Sequence, residues 1–149
     1  MDAFSVRTKI MIGGGMDALA QRLHRVFLVT DKFMAESGKT NYVTDRLLRN
    51  GGEFKIFSDV QADPDIATVT RGVEQILEFQ PDAVVAFGGG SPMDCAKAML
   101  EFGKKLGAGA DIRFVAVPTT AGTGSEVTSF AVLTDRAKGV KYPLVDDAL

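Results

Sequence analysis

The sequence predicts an α/β fold, in which a Rossmann-like parallel sheet carries helices on both faces. Two observations carry this prediction. Apolar segments without polar alternation recur along the chain, which is typical of parallel strands buried on both faces. Segments with apolar residues at helical spacing separate them, so that strands and helices alternate. With 149 residues, the chain is long enough for one such domain.

Four strands are predicted from the apolar runs, at residues 26–30, 54–57, 83–87 and 112–117. The last two should be buried on both faces. Short β segments are expected near both ends of the chain, at residues 6–12, 128–133 and 140–145. The first alternates apolar and polar side chains, which is typical of a half-exposed edge strand, and the other two flank a charged turn.

Four helices are predicted between these strands. The first spans residues 16–23 after a glycine turn, and the second spans residues 41–49 and ends at Asn50-Gly51-Gly52. The third opens at Asp63-Pro64-Asp65 and ends at Pro81. The fourth begins after the glycines of residues 88–90 and continues to about Lys105.

Composition and charge exclude several classes of function. The net charge is −2, from 17 basic and 19 acidic residues without a block of one sign, which indicates neither nucleic acid nor an anionic membrane as a partner. No apolar run approaches the ~20 residues of a membrane helix, and residues 1–5 lack the order of a signal peptide. The single cysteine, Cys95, suits a reducing compartment. We therefore expect a cytoplasmic protein.

The segment Gly88-Gly89-Gly90-Ser91-Pro92-Met93-Asp94 predicts an anion site. Ser91 can cap the following helix, Pro92 suits its first position, and Asp94 can bond back to the cap. Glycines between a strand end and a helix N-terminus let backbone N–H groups approach a phosphate. Asp31 and the segment Pro118-Thr119-Thr120 also follow predicted strands, so three loops should converge at the carboxyl edge of the sheet.

Other motifs are better explained by local structure than by a binding or catalytic role. Gly13-Gly14-Gly15 resembles a dinucleotide fingerprint, but the strand before it carries Arg7 and Lys9, so a glycine turn is the better interpretation. Gly38-Lys39-Thr40 lacks the earlier glycine of a P-loop. Ser125 is not in the order of a nucleophile elbow, and no histidine or cysteine cluster has metal-ligand spacing.

Two motifs together resemble the iron-containing (group III) alcohol dehydrogenases. Residues 87–97 are similar to the glycine signature of that family, and residues 118–126, Pro-Thr-Thr-Ala-Gly-Thr-Gly-Ser-Glu, match its threonine signature without a departure. The ending Lys141-Tyr142-Pro143-Leu144-Val145 resembles the branch that includes the propanol dehydrogenase of propanediol utilisation and the alcohol dehydrogenase of ethanolamine utilisation. That branch implies association with a microcompartment.

The resemblance implies an NAD site. It assigns the pyrophosphate to Gly89, Gly90, Ser91 and Asp94, the cofactor crevice to Thr119, Thr120 and Thr123, the nicotinamide side to Phe130 and Val132, and a cofactor ribose to Lys141. Asp31 matches the family position that contacts the adenosine ribose, and Asp63 matches a loop position near the adenine. A carboxylate at Asp31 can accept from both ribose hydroxyls and would repel a 2′-phosphate, which favours NAD over NADP.

The resemblance also implies a second, helical domain whose aspartate and histidines hold Fe²⁺, and no such motif occurs in the sequence. We therefore expect residues 1–149 to be the NAD-binding half of a longer enzyme that interconverts short-chain primary alcohols and aldehydes. Alone, the chain should bind dinucleotide without catalysis, and it is compatible with a homodimer. A relative of glycerol dehydrogenase or dehydroquinate synthase, and a non-catalytic nucleotide-binding module, stay open as alternatives.

Overall fold

The computed structural model describes residues 7–145, which form a four-stranded parallel sheet, a separate β-hairpin and helices on both sheet faces. The strands are β1 (Arg25–Asp31), β2 (Glu53–Val60), β3 (Ala83–Gly88), β4 (Arg113–Pro118), β5 (Phe130–Asp135) and β6 (Val140–Val145). The helices are α1 (Gly15–Ala20), α2 (Lys32–Glu36), α3 (Asn41–Arg49), α4 (Ile66–Phe79) and α5 (Gly90–Lys105), and a 3₁₀ turn spans Ser125–Val127.

The sheet has the strand order β2-β1-β3-β4, with every pair parallel. Successive side chains point to opposite faces, so neighbours in one strand enter different cores. Phe27 and Val84 pack with α4 and α5 on one face, whereas Leu28 and Val85 pack with α1 and α3 on the other. The predicted α/β class is therefore confirmed.

The predicted helices and strands are largely confirmed, with two differences in the sheet. β4 is half-exposed, because it forms one edge of the sheet in the part of the chain that the structure describes. Residues 7–12 form no strand, whereas Val6 lies outside the described residues. Ile12 in this segment is 91% exposed, and no described strand pairs with it, so the prediction of an N-terminal edge strand is wrong for residues 7–12.

The start of α5 differs from the predicted capping box. Gly89, not Ser91, is the N-cap residue, and no side chain caps the helix. Gly88 has φ +145°, which lets the chain turn from β3 into the helix two residues earlier than predicted. Asp94 accepts a hydrogen bond from the backbone of Val132, 38 residues further along, instead of from its own helix start.

The hairpin of β5 and β6 packs against α5 and confirms the predicted C-terminal β segments. Thr134 N donates to Pro64 O at 3.0 Å, which ties the hairpin to the loop before α4. None of the helices within residues 7–145 combines the length and apolar character needed to cross a bilayer.

Candidate functional site

An open cleft of about 350 Å³ lies where the start of α5, the loop before α4, the hairpin and the loop of residues 119–124 meet. We call residues 119–124 the threonine-rich loop. It is lined by Asp63, Pro64, Gly90, Ser91, Asp94, Thr123, Val132 and Lys141. All of these except Pro64 were predicted from the sequence to bind cofactor. Their convergence agrees with the rule that ligands of parallel sheets bind at the carboxyl ends of the strands.

The glycines at the start of α5 allow the threonine-rich loop to lie directly on the helix end. A Cβ on Gly90 would stand 3.0 Å from Thr123 Oγ1, and one on Gly89 would stand 3.2 Å from Thr120 Oγ1. The first N–H groups of a helix have no partner within the helix, and its dipole favours an anion. α5 is 16 residues long and presents Gly90 and Ser91 to the cleft, so the positive end of the helix dipole faces the cleft.

The threonine-rich loop is ordered by its own hydrogen bonds. Thr119 N donates to Gly88 O at 2.9 Å, which continues the β3–β4 pairing into the loop. Thr123 Oγ1 donates to Ser125 Oγ at 3.0 Å and accepts from Ser125 N at 3.3 Å. Gly124 between them has φ +67°, a conformation that other residues rarely adopt. The loop therefore holds the Thr123 side chain against the start of α5.

Asp94 carries an unsatisfied oxygen inside this site. Its Oδ2 accepts from Val132 N at 3.2 Å, whereas its Oδ1 is buried and has no hydrogen-bond partner among the described residues. Burial raises the pKa of the Asp94 carboxyl, and the Val132 amide, the Ser125 hydroxyl and the Lys97 charge oppose that rise. A buried acceptor without a partner is the kind of group that a bound ligand satisfies.

Two ion pairs connect the loop before α4 with the hairpin. Lys141 Nζ lies 2.9 Å from Asp63 Oδ1, and Arg136 Nε lies 2.9 Å from Asp65 Oδ2. The hydrogen bond from Lys141, followed by its charge, lowers the pKa of Asp63. The backbone hydrogen bond from Thr68 is the main cause that lowers the pKa of Asp65. Both residues of the Lys141–Asp63 pair line the cleft.

The remaining predicted site residues lie outside the lining of the cleft: Asp31, Gly89, Thr119, Thr120 and Phe130. Asp31 ends β1 and caps α2, where its Oδ1 accepts from Met34 N at 2.9 Å. The short α2 was not predicted. Beside it lies a second cleft of about 190 Å³ that Lys32, Ser58, Asp59, Val60, Gln61 and Arg71 line.

Lys97 was part of a sequence motif but received no role, although it is 1% exposed beneath the site. The sequence did contain a signal for this burial, because Lys97 is the only charged residue in the apolar stretch Ala96 to Leu100. Cys95 is also buried, and burial raises the pKa of its thiol to about 12, so it is no nucleophile near neutral pH. Among residues 7–145, no three His, Cys, Asp or Glu side chains are grouped to hold a metal.

Residues 8–149 match the family model described as iron-containing alcohol dehydrogenase. The chain belongs to the iron-containing alcohol dehydrogenases. The resemblance inferred from the glycine and threonine motifs is thereby confirmed.

Known proteins are similar to this chain in sequence and in fold. The 1-propanol dehydrogenase PduQ of Citrobacter freundii is 41% identical, and the match covers 100% of this chain and 40% of that protein. An iron-containing alcohol dehydrogenase structure from Thermococcus thioreducens has a TM-score of 0.84 at 26% identity and covers 97% of this chain and 44% of that one. The sulfoacetaldehyde reductase of Bifidobacterium kashiwanohense, solved with NAD⁺, has a TM-score of 0.79 at 33% identity, over 99% and 43%.

Proposed function

We propose that residues 1–149 are the NAD-binding α/β domain of a longer, NAD-dependent and iron-dependent alcohol dehydrogenase. The observation that carries this proposal is the cleft in which the N-terminus of α5, the threonine-rich loop and an unsatisfied carboxylate oxygen meet. Membership of the iron-containing alcohol dehydrogenase family supports it. The parent enzyme would act on short-chain primary alcohols and aldehydes in the cytoplasm or in a microcompartment.

The residues of the cleft fit a dinucleotide. The N–H groups of Gly90 and Ser91 would bind the pyrophosphate, because they lie at the positive end of a long helix and no Cβ at Gly90 blocks the approach. Thr123, which lies against the start of α5, would turn its hydroxyl proton from Ser125 Oγ to the phosphate. NAD, when bound, supplies the hydride acceptor and donor of the reaction.

Asp94 has a different task from the glycines in this proposal. A carboxylate repels a pyrophosphate, so Asp94 would accept from an uncharged donor such as a hydroxyl or an amide N–H. Its Oδ1 is free for such a donor, while its Oδ2 keeps β5 in place through Val132. The raised pKa of the Asp94 carboxyl agrees with a site from which water is partly excluded.

Asp31 would select NAD over NADP. Its carboxylate is held at the end of β1 by the cap that its Oδ1 makes with Met34. In this position it can accept from the hydroxyls of the adenosine ribose, and it would repel a 2′-phosphate. Phe130 and Val132 would lie on the nicotinamide side. Lys141 has three N–H donors, so it would reach a cofactor ribose while it keeps its ion pair with Asp63.

Iron is not accommodated by the described residues, which contain no group of three candidate ligands. The proposal therefore places the iron site, and the alcohol or aldehyde bound to it, in the remainder of the parent enzyme. The chain covers 40% of the length of PduQ from Citrobacter freundii, which leaves room for such a domain in a parent of similar length. We expect this chain to bind NADH without oxidising alcohols.

The proposal is tested by titrating NADH into the purified chain and following NADH fluorescence. We expect saturable binding that weakens at least about tenfold in Gly90→Ala, because the new Cβ displaces Thr123 and narrows the approach to the amides. The control is Gly14→Ala, since Gly14 has an ordinary φ of −73° and nothing within 4 Å of an added Cβ. Absence of saturable binding to the wild-type chain would overturn the proposed function.

A further inference from the structure

Lys97 is a buried lysine whose ammonium group donates hydrogen bonds to the backbone of one short segment, residues 125–130. The residue is 1% exposed, in the second turn of α5. Its Nζ donates to the carbonyl oxygens of Ser125 at 2.5 Å, Thr128 at 2.8 Å and Phe130 at 3.1 Å. Three donors therefore meet three acceptors, and the Thr128 hydroxyl oxygen lies at 3.4 Å.

Burying the Lys97 ammonium group costs free energy of hydration, which its hydrogen-bond partners must offset. Lysine is almost never fully buried without partners, because its charge loses hydration. Burial lowers the pKa of Lys97, and the charges of Asp94 and Glu126 oppose that change. The three carbonyls compensate the lost hydration only while residues 125–130 keep their present path, so the lysine and the segment hold each other in place.

The segment that Lys97 holds connects two walls of the cleft. Thr123 lies just before it and Val132 just after it, and both line the cleft. Asp94, three residues earlier on the same helix, accepts a hydrogen bond from Val132 N. One face of α5 therefore bonds residues 125–132 through two side chains, Asp94 and Lys97. The same helix presents Gly90 and Ser91 to the cleft.

We infer that Lys97 is a positioning residue, which fixes residues 123–132 against α5 so that Thr123 and Val132 face the helix N-terminus in binding geometry. This inference rests on the proposed function of the cleft as an NAD site. It assigns the lysine no contact with the cofactor. Its effect should be largest on ligands that reach both walls of the cleft.

The test compares Lys97→Met with Lys104→Met. Methionine has nearly the length of lysine but cannot donate hydrogen bonds, and Lys104 is a half-buried lysine two turns further along α5. Amide hydrogen exchange across residues 123–130 should accelerate at least about tenfold in Lys97→Met and stay unchanged in Lys104→Met. Exchange in β3, measured in the same samples, should remain slow in both variants.

Ligand affinities supply the second measurement. NADH affinity should fall at least about tenfold in Lys97→Met, while affinity for AMP, which lacks the nicotinamide half, should change less than about threefold. A lysine that only stabilises the fold would lower the melting temperature but leave the ratio of the two affinities and the exchange of residues 123–130 relative to β3 unchanged. That outcome overturns the inference.

Two further results are informative. If circular dichroism shows that Lys97→Met does not fold, Lys97→Gln, which keeps an N–H donor, is measured in its place. Failure of both variants to fold also overturns the inference, because the lysine is then needed for the stability of the whole domain. If the wild-type chain binds neither NADH nor AMP, the proposed function fails, whereas the exchange comparison still decides whether Lys97 positions the segment.

Discussion

The side chain of Thr30 allows a direct test of what stabilises the carboxyl ends of β1 and β3. Thr30 is fully buried, and its Oγ1 donates to Phe87 O at 2.8 Å. The β1–β3 register ends at Val29 and Ala86, so this hydroxyl continues the contact between the two strands just before Gly88. Thr30→Val replaces the hydroxyl by a methyl group and deprives a buried carbonyl of its donor.

The expected cost follows from burial. Leaving a buried acceptor without its partner costs about 1–3 kcal/mol, and the added methyl group returns part of this, up to about 0.8 kcal/mol. We therefore expect Thr30→Val to lower the free energy of unfolding by about 1–2 kcal/mol. For a chain of this size each kcal/mol shifts the melting temperature by about 2–4 °C. The melting temperature should therefore fall by about 2–8 °C.

Thermal and urea unfolding, followed by circular dichroism, measure this effect. The matched control is Thr70→Val, because Thr70 Oγ1 also donates to a carbonyl, that of Ile66 at 2.9 Å, but at an exposed position in α4. Water can replace that donor, so the control should change stability by less than about 0.5 kcal/mol. Equal melting temperatures for Thr30→Val and the wild type would refute the burial argument.

Two carboxylates give further predictions. Asp31→Asn keeps an oxygen for the cap on Met34 but removes the charge, so the ratio of NADPH to NADH affinity should rise at least about tenfold; an unchanged ratio in titrations would contradict the role of Asp31. Burial raises the pKa of Asp94 above 3.8, so the folded state binds a proton more tightly, and stability falls as pH rises through the window above 3.8. Asp94→Asn avoids this loss and should gain stability relative to the wild type between pH 3.5 and pH 7 in urea unfolding; a pH-independent difference would contradict it.

Most of the secondary structure could be predicted because its signals are local. The range 41–49 was predicted for α3 and is observed, since a helical apolar pattern ends there in Asn50 and Gly51. α2 was missed because it has only five residues and depends on the cap from Asp31. The half-exposure of β4 depends on the strand order β2-β1-β3-β4, which the composition of one strand does not reveal.

In the candidate site too, residues with local sequence signals could be predicted, whereas roles that depend on distant contacts could not. Gly90 and Ser91 were predicted because a glycine motif before a helix exposes backbone N–H groups, and Thr123 because the threonine signature offers side-chain hydroxyls. The predicted N-cap, Ser91, lies two residues after the observed one, Gly89, because the sequence pattern does not reveal the φ of +145° at Gly88. The role of Lys97 could not be predicted, since its three carbonyl partners lie 28 to 33 residues away. The packing of the 3₁₀ turn and of β5 on α5 brings them together.

Local pairing of charges explains how a chain with a net charge of −2 can offer an anion site. Asp63 and Asp94 line the cleft and would each repel a pyrophosphate. Lys141 lies 2.9 Å from Asp63, and the Lys97 charge acts on Asp94, so each carboxylate has a cation nearby. With the acids compensated in this way, the amides and dipole at the start of α5 would determine the sign of the ligand in the proposed NAD site. The proposed site therefore requires no surplus of basic residues.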